Sequence, residues 1–346
     1  MTAKTKRWDS MDKDAVSLEK LMLQYEASNR AEQKSPQTAI WYQTALGQFL
    51  HYLRQQRIEP VLGSVDSELV RQYILHLQTR PKYEDHPISQ TNGKLSPVTV
   101  QGYVRAMKAF FNWLYREGYT EEFRLARVKV PKVPRKLIEP LSETEVATIL
   151  ASIDHQSAWG VRDATIVLLF LDTGLRRGEL AGASMANLHL EEGYLKVMGK
   201  GSKERVAPFG GAAQRALMKY IFHFRPEPLG EDGIFLTLDG RPLTGEAVQL
   251  MVRRLAKASG VEQLHPHLMR HTFAVNYLMN GEDVFTLQQI LGHTTLEMVR
   301  RYVNLASSHV MTQQHRFSPV DQMNLRQVRQ VTVMRGNVRR RSVNAR

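Results

Sequence analysis

The stretch His265-Pro266-His267-Leu268-Met269-Arg270-His271 decides how the chain is read. Three histidines and an arginine crowd around a proline, at a break in an otherwise helical pattern of apolar residues. Three stretches of similar character surround it. Upstream are TGLRRGEL at 173–180 and GKG at 199–201; downstream is LGH at 291–293, with Tyr302 nine residues after His293. Each alone is a weak indication, because a lone arginine after a glycine usually ends a helix and a tyrosine usually packs. As a set they supply what phosphoryl transfer without a metal requires. Charge builds on two non-bridging oxygens, and an arginine fork neutralises it with two parallel hydrogen bonds. A nucleophile and an acid for the departing oxygen complete the requirement. Two arginines, two histidines, a lysine in a hairpin turn and a tyrosine cover every role.

Other chemistries are excluded by what is missing. There is no GxGxxG, Walker loop, HExxH or carboxylate cluster of the two-metal type, and GKGSK at 199–203 lacks the frame of a phosphate-cradling loop. The 346 residues contain no cysteine, which removes disulfides, thiolate metal sites and a cysteine nucleophile, and is consistent with a reducing compartment. Neither a signal peptide nor a membrane span is expected, since Met1–Ser10 has no apolar core and no run of about 18 apolar residues occurs. The expected location is the cytoplasm, in association with the nucleoid.

The length suggests two domains and a tail. The net charge of +13 is as expected for a nucleic-acid partner, and it is unevenly spread. Residues 1–135 carry 21 basic and 14 acidic side chains, residues 136–317 carry 19 of each, and residues 318–346 carry 7 against 1. An anion site in the balanced middle therefore depends on particular residues converging.

The first 135 residues predict four helices. Ser35-Pro36 and Ser96-Pro97 are cap-then-proline starts, and Asp66 caps a third helix. Ile40, Trp41, Ala45, Phe49, Leu50 and Leu53 recur at helical spacing after the first start. Val16–Ala27 is a weaker fourth helix, Gly118 a stop, and the aromatic residues are expected in the core. Residues 126–141, with Pro131, Pro134 and Pro140 among basic residues, predict an extended linker. Ser142-Glu143-Thr144-Glu145 is a capping box. Beyond it the pattern is helical apart from a hairpin, Tyr194–Met198 and Lys203–Pro208, and a short strand at Ile234–Thr237.

From about Ser142 to Tyr302 the chain resembles the catalytic domain of the tyrosine recombinase (phage integrase) family, near its Xer-type and transposon integrases, and Leu18–Tyr119 resembles that family's core-binding domain. The resemblance implies a mainly α fold with a small β-hairpin or sheet, in a two-domain C-shaped clamp: a helical core-binding (SAM-like) domain at 1–125, a basic linker at 126–141, a tyrosine-recombinase catalytic domain at 142–317 and a basic tail at 318–346. It makes Arg176, Lys200, His267, Arg270, His293 and Tyr302 catalytic and Glu179 a supporting carboxylate, with His271 a structural neighbour. Met269, where the family often has leucine, and the extra Arg177 are small departures.

The implied function is a site-specific DNA recombinase or integrase that cuts and rejoins strands through a 3′-phosphotyrosyl intermediate, with neither metal nor ATP. Nearby positive charge would help a phenol whose ordinary pKa is about 10 to ionise. The implied partners are duplex DNA with specific recombination sites and further copies of the chain, as a tetramer, with an accessory DNA-bending protein or partner recombinase. Val303–Val320 would dock on the neighbouring copy. Gln101, Arg105 and Lys108, on the expected exposed side of the fourth helix, are candidate groove readers. Two rival readings are a topoisomerase-like relaxing enzyme of type IB, which would relax DNA as a monomer, and a catalytically silent DNA-binding regulator.

Overall fold

The computed structural model describes residues 11–82, 93–134, 138–199, 204–292, 295–297, 299 and 302. The chain divides into two compact units, Met1–Lys136 and Leu137–Arg346.

The first unit holds α1 (Leu18–Ala31), α2 (Pro36–Gln55), α3 (Ser67–Thr79) and α4 (Pro97–Arg116). The helices start where local chemistry dictates. Ser35 Oγ accepts from Thr38 N, the Asp66 carboxylate from Leu69 N, and Ser96 Oγ from Thr99 N. Each bond satisfies an amide that a helix start leaves without an intrahelical partner. The first helix begins later than its apolar pattern suggests, because Ser17 caps it by accepting from Lys20 N. Leu21, Leu53, Val70, Tyr73, Leu77, Val104, Met107, Phe110 and Phe111 form the core, with Tyr103 and Trp113 packed against it, whereas Tyr115 of α4 is exposed. Ile40 and Trp41 are exceptions to the expected apolar face. They are 52% and 38% exposed, because the buried face of α2 begins only at Ala45.

The second unit contains α5 (Glu143–Ala151), α6 (Ala158–Thr173), α7 (Arg177–Ala181), β1 (Leu188–His189), β2 (Tyr194–Met198), β3 (Glu204–Pro208), α8 (Gly211–His223), α9 (Gly245–Ser259), α10 (Pro266–Met279) and α11 (Val284–Leu291). Ser142 and Glu145 form the predicted capping box, with Ser142 N donating to Glu145 Oε2 at 2.8 Å. The strands make an antiparallel sheet in the order β1-β2-β3, with Leu195 opposite Ala207 and Val197 opposite Arg205. The hairpin is thus present from Glu204, and its turn at 200–203 lies outside the described residues. β1 was not predicted. The expected strand at Ile234–Thr237 is reduced to an isolated antiparallel bridge, Leu236 with Pro242, because its other polar groups have partners elsewhere. Ile234 N donates to Ala183 O, Leu236 N donates to the Tyr220 hydroxyl, and Arg162 and Arg225 donate to Leu236 O and Ile234 O. Among the described residues no helix is long and apolar enough to cross a membrane.

Helix α6 is buried nearly all round, as a helix enclosed by others must be, with α8 and α10 packed on it. It ends at Gly174 in the left-handed conformation (φ 60°), where a Cβ would meet Phe273 Cδ1 at 2.5 Å and Leu291 Cδ2 at 2.8 Å. Gly174 therefore lets the chain turn tightly between α10 and α11 and deliver Leu175-Arg176. Gly174→Ala is expected to cost about 2–4 kcal/mol, combining left-handed strain with overpacking, and a urea midpoint measures it.

Candidate active site

Arg176 is the N-cap of α7, held in extended conformation by the third residue of that helix. Glu179 accepts from Arg176 N at 2.7 Å with one oxygen and from Arg176 Nη1 at 2.7 Å with the other. A carboxylate is favoured at a helix start, where the free amides carry partial positive charge. Burial would lift the Glu179 carboxyl, but hydrogen bonds and charge from Arg205, then from Arg176, hold it below the usual carboxylate value. Its neighbour Arg177 turns elsewhere, to Gln249 at 3.5 Å and Glu246 at 3.9 Å on α9.

His265 caps α10: its Nδ1 accepts from Leu268 N at 3.0 Å, and Pro266 occupies the first turn. That start sets His267 and Arg270 three residues apart, on neighbouring positions of one helix face. Arg270 is 2% exposed and donates to Gly174 O at 2.5 Å and to Leu291 O at 2.8 Å, the closing residues of α6 and α11. Burial, then the positive charge of Arg176 and Arg205, draws its guanidinium below the ordinary arginine value. The His267 ring is open to solvent on one side, yet partial desolvation and then the charges of Arg270, His265, His271 and Arg176 also depress it, which favours the neutral imidazole.

α11 ends at Gly292 in the left-handed conformation (φ 62°), and Arg176 Nη1 lies 4.0 Å from where a Cβ on Gly292 would stand. The Leu291-Gly292 turn therefore abuts both arginines. Tyr302 is 6% exposed, in a small cluster with Phe273, Leu287, Leu291 and Val299. Its ring centroid is 5.3 Å from that of His271, tilted by 48°. His271 in turn hydrogen-bonds Ile138 O through Nε2 at 2.7 Å, and the next residue, Thr272, accepts from Leu141 N at 2.9 Å. The structure thus gathers Arg176, Glu179, His267, Arg270 and Tyr302. Lys200 and His293 lie outside the described residues, as does Val303–Val320. No group of three or more His, Asp or Glu residues able to hold a metal occurs among the described residues.

The candidate groove readers need correction. Gln101 and Lys108 were expected on an exposed face, but their polar ends serve the chain's own backbone. Gln101 Nε2 donates to Pro131 O at 2.8 Å, and Lys108 Nζ donates to Leu125 O and Val128 O at 3.0 and 2.7 Å. Arg105 is exposed.

One residue of the site went unrecognised in the sequence. Arg205 on β3, its side chain 8% exposed, pairs with Glu179 at 2.7 Å and donates to Ile290 O. The available sign was alternation, which puts Arg205 on the inner side of β3 with buried Ala207. A charge there demands a buried partner.

The fold and site define a class: a helical unit followed by a mainly helical domain with a small sheet, two arginines converging beside a buried phenol. The model of the Phage integrase family matches residues 139–309, and that of the Phage integrase SAM-like domain matches residues 21–130. The chain is 31% identical over 229 residues to "Tyrosine recombinase XerD" of Listeria monocytogenes, covering 65% of this chain and 77% of the relative. It is 29% identical over 282 residues to "Tyrosine recombinase XerD" of Staphylococcus aureus, covering 80% and 91%. Two solved structures share the fold. XerH site-specific recombinase bound to palindromic difH substrate has a TM-score of 0.64 at 19% identity, covering 85% of this chain and 82% of that one. A lambda integrase (75–356) dimer bound to a COC' core site has a TM-score of 0.63 at 19% identity, covering 83% and 95%. The chain belongs to the tyrosine recombinase (phage integrase) family, and is an enzyme of the tyrosine-type site-specific recombinase class.

Proposed function

We propose that this enzyme cuts and rejoins duplex DNA at specific recombination sites through a 3′-phosphotyrosyl intermediate. The Tyr302 oxygen bonds to a backbone phosphorus while the bond to the 5′ oxygen breaks. Arg176 and Arg270 brace the two non-bridging oxygens as charge gathers on them. Neutral His267 takes the phenolic proton, Lys200 protonates the departing 5′ oxygen, and His293 donates a further hydrogen bond. A 5′-hydroxyl from a partner strand reverses the step. The phosphodiester bond is exchanged for another ester, so the cycle balances without ATP, and the guanidinium groups supply the charge that a divalent metal supplies elsewhere.

The observation that carries this reading is the pairing of two arginines, each held from behind, around one turn beside Tyr302: Arg176 by Glu179, and Arg270 by Gly174 O and Leu291 O. The roles of Lys200 and His293 rest on sequence order alone. The basic first unit is proposed to contact DNA phosphates, with Arg105 among its contacts, and four copies are proposed to act together, aided by a DNA-bending or partner protein. The domain bounds proposed for this work are 1–125 and 142–317, joined by 126–141, with the arginine-rich 318–346 as a tail.

The deciding experiment uses a nicked suicide duplex from which the cleaved fragment diffuses away. The protein in EDTA is expected to give an SDS-resistant adduct on the 3′ side of the cut, yielding phosphotyrosine on hydrolysis. No adduct on any site selected from fragmented genomic DNA would refute the reading. A pH profile tests the proton acceptor. His267 lies below its usual value, so its neutral form persists at pH 7. Single-turnover cleavage should be flat from pH 8 to 7 and fall only below about 6.5. His267→Asn should be slower and lose that acid limb; an unchanged limb would assign it to another group.

A further inference from the structure

Arg205 is fastened on three sides. Its Nη2 meets Glu179 Oε2 at 2.7 Å, its Nε lies 3.4 Å from Glu179 Oε1, and its Nη1 donates to Ile290 O. Its Cδ stands 2.7 Å from where a Cβ on Gly292 would be, so the glycine is what lets the arginine pass. Glu179 is the same carboxylate that holds the main chain and guanidinium of Arg176. A continuous bridge thus runs from Arg176 through Glu179 and Arg205 to the last turn of α11, immediately before His293. Arg205 also stands five residues after Lys200, near the start of the strand that leaves the hairpin turn.

A buried carboxylate shared by two arginines is more than a neutral tie. With Arg205 removed, Glu179 Oε2 keeps the amide of Arg176, and both the carboxylate and the Ile290 carbonyl lose a charged donor. The carboxylate, which already holds the Arg176 guanidinium through Oε1, is then free to shift and to carry that fork with it. We propose that Arg205 is a positioning residue for strand cleavage: through Glu179 it sets the Arg176 fork, and through Ile290 it sets the turn before His293, without touching the phosphate itself. This role rests on the strand-cleavage reading above.

The test is a double-mutant cycle on the full-length protein with the suicide duplex, read as single-turnover adduct formation at saturating protein. Gel-shift affinity and urea midpoints are measured beside it. Arg205→Met is expected to slow adduct formation about 100-fold, the scale of an ångström-sized misplacement, while DNA affinity stays within about threefold. In an Arg176→Ala background the same change is expected to slow the residual reaction less than about tenfold, because much of its effect passes through Arg176. A purely architectural residue would give the same factor in both backgrounds, and that equality would overturn the proposal, as would wild-type speed in Arg205→Met. Arg205→Lys keeps a charge against Glu179 but lacks the fork that spans to Ile290. It carries the test if the methionine variant does not fold: at least about tenfold slower cleavage by a folded protein supports the role, and wild-type speed refutes it. Absence of an adduct from the unaltered protein would instead refute strand cleavage, so the two failures are distinguishable.

Discussion

Tyr302→Phe is expected to abolish the covalent adduct while leaving DNA affinity and folding intact. The substitution removes one oxygen from a ring that is 6% exposed, and it keeps the ring that packs against His271, Phe273 and Leu291. The loss should be complete, because a phenyl ring has no nucleophilic atom. The phenol packs on α10 of its own chain, which predicts delivery in cis. A mixture of Tyr302→Phe and Arg270→Ala proteins should therefore form no adduct, since neither chain has both the nucleophile and its arginines. An adduct from the mixture would mean that the phenol is supplied by a neighbouring copy, and one from Tyr302→Phe alone would move the nucleophile elsewhere.

The second large effect is expected at Arg270, where the proposed mechanism gives one side chain a part in both folding and chemistry. Its two terminal nitrogens close off Gly174 O and Leu291 O in an interior the solvent does not reach. Arg270→Ala leaves two buried carbonyls without those donors, at about 1–3 kcal/mol each, and opens a cavity beside them. It also removes one brace from the phosphate, so single-turnover cleavage should fall at least about 10³-fold. Arg270→Lys separates the two roles. A lysine retains the charge but not the planar fork, and it should recover part of the stability while cleavage stays about 100-fold down. Urea unfolding and single-turnover assays on both variants check the split; equal recovery of both would show that charge alone is needed.

What was legible in the sequence was the chemistry that acts over a few residues. The caps at Ser35, Asp66, Ser96 and Ser142 each involve a side chain and an amide three residues on, and all form as read. The candidates Arg176, His267, Arg270 and Tyr302 stand out by the order and spacing of their motifs, and Glu179 by the family resemblance; the structure brings these five together. What escaped depends on partners far along the chain. Ile234–Thr237 has the composition of a strand, but beyond its bridge to Pro242 it is held by side chains of α6 and α8 and by Arg225. Lys108 looks like a free cation until Leu125 and Val128 bring their carbonyls to it. Arg205 is one basic residue among several near the hairpin turn, and only its encounter with Glu179, 26 residues earlier, distinguishes it.

The contact between His271 and Ile138 has a mechanical corollary. The imidazole grips a peptide within the proline-rich stretch on one edge and lies against the Tyr302 ring on the other. A shift of the Ile138 peptide would therefore have one ring to cross before it reached that of Tyr302.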